Sequence, residues 1–281
     1  MSRRQIVLAC GALAVPGGIT RAADADALGT LESRQGGRLG VFAVDAGSGR
    51  TLAHRADERF MLFSTFKGVL AAAVLADVEA GIEALNARVS YTAADLLPAS
   101  PVTRAHRDEG SLTVEALCLA IMHRSDNAAA NLLLARRGGP ARLTAFVRGL
   151  GDAVTRFDRY DTAAGTPSGV LDTTTPRAIV STVRALLLGD VLSATSRATL
   201  EAWMAGNEVG RSRLRAAFPT DWTAGDRTRT GNGYCNDYAF VRRPGKPPLV
   251  MSAYFEAPGM TLAKQEAVLR QVGAIILAWQ A

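Results

Sequence analysis

The sequence contains few residues of the kinds that hold metal ions. Three histidines and three cysteines occur among 281 residues, and they form neither a C-x-x-C nor an H-E-x-x-H pattern. Such patterns bring nitrogen and sulfur ligands together at the spacing that zinc requires. The sequence therefore argues against a zinc site. It leaves open whether two of the cysteines, Cys118 and Cys235, form a disulfide bond.

Runs of basic residues are also absent. The net charge is +6, but lysine and arginine are scattered along the chain, without a stretch of five or six. Proteins that bind nucleic acids usually concentrate their positive charge on one segment or face. We therefore predict a mixed, solvated surface and no nucleic-acid partner.

No hydrophobic run is long enough for a stable membrane span. The apolar segment from Ile6 to Ile19 is interrupted by Pro16 and by glycines, whereas a spanning helix needs about 20 residues. This segment follows the pair Arg3-Arg4 and precedes small residues that end at Ala25, an order typical of a twin-arginine export signal. We predict that residues 1–25 are removed, and that residues 26–281 form one periplasmic or secreted domain that is not bound to a membrane.

Two kinds of periodicity divide the remaining chain. Strand-like apolar runs and a hairpin signal predict strands near the chain ends, whereas helical spacing dominates the middle, from Ser64 onward. The predicted strands are Arg38–Asp45, Arg50–His54, Ala239–Val241 and Leu249–Phe255. One predicted helix starts at Ser64. The others are Leu112–Arg124, Asn127–Ala135, Pro140–Leu150, Pro176–Leu188, Ser193–Ala205 and Leu262–Trp279. This order predicts a mixed α/β (α+β) fold with two lobes. Residues 31–60 and 210–281 would form an antiparallel sheet lobe, residues 61–209 a mostly helical lobe, and the cleft between them would bind a ligand.

The first chemical motif is Ser64-x-x-Lys67, at the predicted start of a helix. Residues three positions apart share a helix face, and a lysine removed from water can accept the proton of a serine hydroxyl. Free N–H groups at a helix start can also stabilise an oxyanion. Serine is a common helix cap, however, and this short pattern often occurs by chance.

Two further motifs follow along the chain. In Ser125-Asp126-Asn127, the hydroxyl can shuttle a proton, and the Asn127 amide can bind a carbonyl group and position Lys67; the alternative interpretation is a helix cap. The stretch from Trp222 to Thr228 enters the C-terminal sheet. There, Arg227 and Thr228 can hold a carboxylate beside an edge strand. An edge strand that is merely exposed to solvent would show the same sequence pattern.

The three motifs, in this order, resemble those of the class A serine β-lactamases. Flanking stretches such as Leu97–Thr103 and Asp172–Pro176 agree with the family, and the resemblance extends from about Leu31 to the end of the chain. It implies the two-lobe fold and an exported monomer without a cofactor or metal. It also implies hydrolysis of the β-lactam amide of penicillins and cephalosporins, which are small-molecule substrates.

The resemblance also implies roles for individual residues. Ser64 would attack the lactam carbonyl with Lys67 as part of the base machinery, and Ser125 would return a proton to the lactam nitrogen. The oxyanion would lie between the N–H groups of Ser64 and Thr230. The residues expected to bind substrate are Asn127, Arg213, Arg227, Thr228 and Thr230.

The chain departs from the family at the residue that completes turnover. The family carries a glutamate and, four residues later, an asparagine in a long loop, where this chain has Asp161 and Gly165. The aspartate is one methylene shorter, and the loop from Arg159 to Asp172 is also shorter. Either Asp161 activates the water that releases the acyl group, or the protein acylates and stays blocked. The alternatives to a β-lactamase are therefore a D,D-peptidase-like protein and a sequestering protein.

The strand motif departs from the family as well. One register places Arg227-Thr228-Arg229 at the family's Lys-Thr-Gly, and the other places Arg229-Thr230-Gly231 there. We prefer the first register because it needs fewer gaps. The positions that form a disulfide bond in the carbapenem-hydrolysing branch of the family hold Phe63 and Gly231.

Overall fold

The computed structural model describes residues 22–231 and 233–281. The predicted export signal lies almost entirely outside these ranges and stays a prediction, as does the boundary at residue 25. Helix α1, Ala22–Gln35, is the first described element. Among the described helices, none is both long and apolar enough to cross a membrane.

The central feature is a five-stranded antiparallel sheet with the order β2-β1-β9-β8-β7. Its strands are β1 Arg38–Asp45, β2 Thr51–His54, β7 Thr223–Gly231, β8 Tyr234–Arg242 and β9 Leu249–Glu256. Strand β1 pairs with β9 over its whole length, from Arg38 opposite Glu256 to Asp45 opposite Leu249. The prediction of one antiparallel sheet built from both chain ends is confirmed, and β7 is one of its two edge strands.

Alternate residues of the sheet belong to two different cores. Val41 packs in a core with α1 and with α9, Leu262–Trp279, whereas its neighbour Phe42 packs in the core of the helical lobe. Helix α7, Pro176–Leu188, lies against β1 and β9. Because successive side chains of a strand point to opposite faces, apolar residues at nearly every position of β1 indicate a sheet buried on both faces.

The helical lobe is built around α2, Phe66–Glu79, in which every residue from Phe66 to Leu75 is buried. The other helices of this lobe are α3 Pro101–Ala105, α4 Val114–His123, α5 Asn127–Arg136, α6 Pro140–Gly149 and α8 Ala194–Ala205. Two small sheets join β3 Phe60–Met61 to β6 Thr173–Thr174 and β4 Arg88–Ser90 to β5 Ser111–Thr113. The helix predicted from Leu112 begins later because Leu112 pairs with Val89 in a strand, and Thr113 then caps the helix by accepting the Ala116 N–H at 3.1 Å.

The long segment without periodicity is a closed loop. Arg159 Nε lies 2.6 Å from Asp172 Oδ2, and the N–H groups of Asp158 and Arg159 donate to the other oxygen of Asp172. Between these ends, a single 3₁₀ turn, Ala163–Gly165, contacts the turn that carries Ser64. The ion pair thus closes the loop and places Asp161 beside the cleft between the two lobes.

Candidate active site

Ser64 lies in a 3₁₀ turn, Phe63–Thr65, which joins β3 to α2. The sequence predicted that α2 starts at Ser64, but the α-helix begins two residues later, at Phe66. The preceding residue, Phe63, has a φ of 46°, a left-handed conformation that is unusual for a bulky residue. Ser64 retains 6% of its surface, so the tight turn presents it at the base of the cleft.

Lys67 brings four of the predicted residues together. Its side chain is wholly buried, and Nζ donates to the Ser125 carbonyl at 2.8 Å and to Asn127 Oδ1 at 2.6 Å. Asp161 Oδ2 lies 3.3 Å from the same nitrogen. Ser64 lies three residues before Lys67, in the adjoining 3₁₀ turn. The arrangement therefore collects amine, hydroxyl, amide and carboxylate in one site beside the turn that carries Ser64.

The environment of Lys67 tunes its protonation. Burial lowers the pKa of Lys67 to about 8; the negative charge of Asp161 opposes this effect, and the positive charge of Arg227 adds to it. Three acceptors around Nζ suit the ammonium form, but removal from water disfavours it. As a result, both the amine and the ammonium form of Lys67 are populated near neutral pH. A group that accepts and returns protons needs both forms.

Ser125 connects Lys67 to the edge strand. It lies between α4 and α5 with a φ of 58°, and its Oγ accepts hydrogen bonds from Arg227 Nη2 at 2.7 Å and from Lys67 at 3.4 Å. Because two cations donate to this oxygen, its own proton is free to be donated to a bound molecule. Asn127 Nδ2 donates to the Pro98 carbonyl at 3.0 Å.

The helix-cap interpretation of the second motif holds for its middle residue. Asp126 is wholly buried, and its carboxylate accepts N–H groups of Ala129, Val102 and Thr103. It therefore starts α5 and ties α3 to it. Ser125 and Asn127, on either side of this cap, are partly exposed and face Lys67.

The contact between Arg227 and Ser125 selects the first register of the strand motif. Arg227 is wholly buried, and burial lowers its pKa to about 10, so it remains charged at neutral pH. Within the described chain, Arg227 Nε and Nη1 and the Thr228 hydroxyl have no hydrogen-bond partner. Buried donors are rarely left unpaired. These three atoms are therefore available to a carboxylate that enters the cleft.

Thr230 and Arg213 differ in how they reach the site. The Thr230 backbone is paired with Cys235 on β8, which places it on the edge strand as predicted. Arg213 is wholly buried; it donates to the Arg229 carbonyl at 2.7 Å and lies 3.2 Å from Glu266 Oε1. In the structure this side chain supports β7 from within the protein, and its predicted contact with substrate stays a prediction.

Asp161 is held mainly through its backbone. Asn131 Nδ2 donates to the Asp161 carbonyl at 2.6 Å, and the Asp161 N–H donates to Asn131 Oδ1 at 3.0 Å. The carboxylate oxygen nearest Lys67 makes a charge contact but no well-aligned hydrogen bond with a described residue. The sequence analysis missed Asn131. It lies four residues after Asn127 on α5, a spacing that places both amides on one helix face.

Aromatic packing surrounds Phe63, one of the two positions that form a disulfide bond in the carbapenem-hydrolysing branch of the family. The Phe63 ring lies 4.7 Å from that of Tyr234, centroid to centroid, and the Arg229 guanidinium lies 4.7 Å from the Phe63 centroid. Cys118 and Cys235, whose pairing the sequence left open, are buried free thiols. Burial raises the pKa of Cys235 to about 12 and also raises that of Cys118, so neither is a ready nucleophile.

Comparisons with known proteins agree with this geometry. Residues 23–280 match the model of the beta-lactamase enzyme family. The carbapenem-hydrolyzing beta-lactamase KPC of Klebsiella oxytoca is 40% identical over 98% of this chain and 96% of its own length. A beta-lactamase of Streptomyces fradiae is 45% identical over 80% of this chain and 76% of its own length.

Solved structures extend the match to three dimensions. A beta-lactamase from Burkholderia vietnamiensis shares 54% identity and a TM-score of 0.91, covering 93% of this chain and 97% of that one. The reconstructed last common ancestor of the class A beta-lactamases of Gram-negative bacteria shares 46% identity and a TM-score of 0.90, covering 92% of this chain and all of its own. With its nucleophile, buried lysine and loop carboxylate in place, the chain belongs to the class A serine β-lactamases, enzymes that hydrolyse β-lactams.

Proposed function

We propose that the enzyme hydrolyses penicillins and cephalosporins through an acyl-enzyme on Ser64, which Asp161 then releases. The observation that carries this proposal is the position of Lys67, whose Nζ lies within 3.4 Å of Ser125, Asn127 and Asp161 at once. A buried amine with a pKa of about 8, in contact with both the Ser125 hydroxyl and the Asp161 carboxylate, suits proton transfer in both steps.

In the first step, neutral Lys67 accepts the proton of Ser64, and Oγ attacks the lactam carbonyl. The N–H groups of Ser64 and Thr230 stabilise the oxyanion. As the ring C–N bond breaks, Ser125 donates its proton to the nitrogen, and Lys67 restores it across 3.4 Å. Arg227 and Thr228 hold the substrate carboxylate.

In the second step, the Asp161 carboxylate accepts a proton from a water molecule that attacks the Ser64 ester. The ester C–O bond breaks, and the proton that Asp161 took from the water passes to the Ser64 oxygen, which regenerates the carboxylate. The clamp from Asn131 and the ion pair between Arg159 and Asp172 fix the loop backbone. Fixed geometry matters because a displacement of about 1 Å at a catalytic group can lower a rate by about 100-fold.

A sequestering protein that acylates without release is the second candidate, and Gly165 favours it. The family's asparagine at this position helps to hold the water, and glycine has no side chain for that purpose. A Cβ at Gly165 would meet no atom within 4 Å, so the space beside the loop is open. Turnover then depends on Asp161 alone.

We further propose that the enzyme is exported and acts as a monomer in the periplasm or outside the cell. The Arg3-Arg4 pair and the apolar segment that follows it support export. The proposal does not extend to carbapenems, because Phe63 and Gly231 occupy the positions of the bridging cysteines of the carbapenem-hydrolysing branch.

The deciding experiment adds excess benzylpenicillin to the purified protein and follows ring opening together with the intact mass. Turnover of many equivalents, abolished in Ser64→Ala, is the expected result. One equivalent consumed, with a stable adduct on Ser64, would establish the sequestering alternative. A protein that neither forms an adduct nor opens the ring would contradict both candidates.

A further inference from the structure

Asn236 places a buried side-chain amide on β8, beside the edge strand β7. The residue is 1% exposed, and its Nδ2 donates to the Met61 carbonyl at 2.8 Å. Its Oδ1 is buried and has no hydrogen-bond partner among the described residues. A buried amide with an unpaired oxygen costs free energy that an apolar side chain of the same shape would not cost. The stability of the sheet alone therefore does not account for an asparagine at this position.

The Met61 carbonyl belongs to the segment that leads into the turn with the nucleophile. Met61 ends β3, and the N–H group of Leu62 donates to the Asp172 carbonyl at 2.9 Å. Phe63 then adopts its left-handed conformation, with a φ of 46°. A bulky residue keeps such a conformation only where the surrounding contacts impose it. The hydrogen bond from Asn236 is one of these contacts, and it ties the segment to the sheet.

The backbone of Asn236 is paired with the strand that carries the other expected oxyanion donor. In the ladder between β7 and β8, Asn236 lies opposite Arg229, the residue before Thr230. Arg213 Nη1 donates to the carbonyls of Arg229 and Asn236, at 2.7 Å and 3.2 Å, and so fixes the two strands here. Two N–H groups that bind one oxyanion must keep a fixed separation. Asn236 therefore links the strand of Thr230 to the segment that precedes Ser64.

We propose that Asn236 is a positioning residue for the oxyanion site. By holding the Met61 carbonyl to the sheet, it sets the separation between the N–H groups of Ser64 and Thr230. This inference rests on the proposed function, because it takes these two groups as the donors to the oxyanion. An oxyanion forms when Ser64 attacks the lactam and again when water attacks the ester. Loss of the Asn236 contact should therefore slow both steps by a similar factor, and it removes no titratable group.

The test measures acylation and deacylation by benzylpenicillin separately, by rapid-quench mass spectrometry, together with the concentration that half-saturates acylation. Asn236→Leu removes the donor and keeps the size of the side chain. The matched control is Gln265→Met on α9, because Gln265 is also buried and its Nε2 donates to the Ala257 carbonyl at 3.2 Å. Thermal unfolding of each variant allows rates to be compared per folded molecule. If Asn236→Leu does not fold, Asn236→Ala, whose smaller side chain cannot clash, takes its place.

In Asn236→Leu, we expect both rate constants to fall by about 10- to 100-fold, as the displacement of an oxyanion donor predicts. The half-saturating concentration and the pH profiles should stay those of the parent enzyme, and Gln265→Met should keep both rate constants. Parent-like rates in Asn236→Leu, or a fall in one step only, would overturn the inference, because the residue would then serve packing or a single step. If the parent acylates but does not deacylate, the proposed turnover fails, and the acylation rate alone decides the role of Asn236. If the parent forms no acyl-enzyme, the proposed function fails first and this inference falls with it.

Discussion

The two sides of the cleft hold their functional groups in different ways. On the side of α2 and β7, side chains are fixed directly: Lys67 and Arg227 are wholly buried and both donate to Ser125. On the loop side, Asn131 fixes the backbone of Asp161, but the carboxylate makes a charge contact without a well-aligned hydrogen bond. The comparison indicates that the groups for acylation are tightly preorganised, whereas those for deacylation are held more loosely.

The largest effect should come from the tightly held side. Lys67→Met removes the base and leaves a similar volume, so acylation of Ser64 should fall by about 1000-fold or more. Single-turnover measurements with benzylpenicillin check this. Lys264→Met, at an exposed lysine, serves as the control. If Lys67→Met is acylated at a rate within a few-fold of the parent enzyme, another group acts as the base.

On the loop side, Asp161→Asn should separate the two steps. Deacylation should fall by about 100-fold or more, because an amide cannot accept the proton of water, while acylation falls much less. The acyl-enzyme on Ser64 should then accumulate and be visible by intact mass. Asp221→Asn, on the exposed surface, should turn over normally; normal turnover in Asp161→Asn would mean that the carboxylate is not the base.

The pKa of Lys67 predicts how acylation varies with pH. With a pKa of about 8, the ammonium dominates below pH 8 and the amine above it, so the rate of acylation should rise about tenfold between pH 7 and pH 9. Pre-steady-state rates over this range check the prediction. A flat profile would indicate that Asp161 accepts the serine proton instead.

The smallest effect concerns the loop itself. Gly165→Asn should raise the rate of deacylation a few-fold, because the open space beside Gly165 accepts a side chain that can hold the water. Gly165→Ala, which stiffens the same backbone position without adding an amide, is the matched control. Equal effects of both changes would show that loop stiffness, and not the new amide, is responsible.

Local patterns in the sequence were sufficient to locate most elements. The apolar run of β1, Arg38–Asp45, and the helical spacing of α9, Leu262–Trp279, predicted both elements with their observed bounds. The start of α2 was wrong by two residues because the turn around Ser64 depends on a left-handed Phe63. Such a conformation is imposed by tertiary packing and has no local signal in a bulky residue.

The candidate site was less predictable than the fold. The contact between Ser125 and Arg227 joins residues 102 positions apart, so the register of the strand motif required the structure. The burial of Arg213 beside Glu266 depends on how α9 packs against the sheet, which no local pattern in the sequence indicates. Asn131 has a recognisable spacing on α5, but its partner Asp161 lies on a loop without periodicity.

The pairing of β1 with β9 also has a consequence for how the chain folds. Strand β1 cannot form its hydrogen bonds with β9 until β9 has been synthesised, about 200 residues later along the chain. Contacts between distant segments form slowly, because closing a long loop costs entropy before any contact compensates for it. The helical lobe can therefore collapse first, and the edge strand that completes the cleft is added when the C-terminal segment arrives.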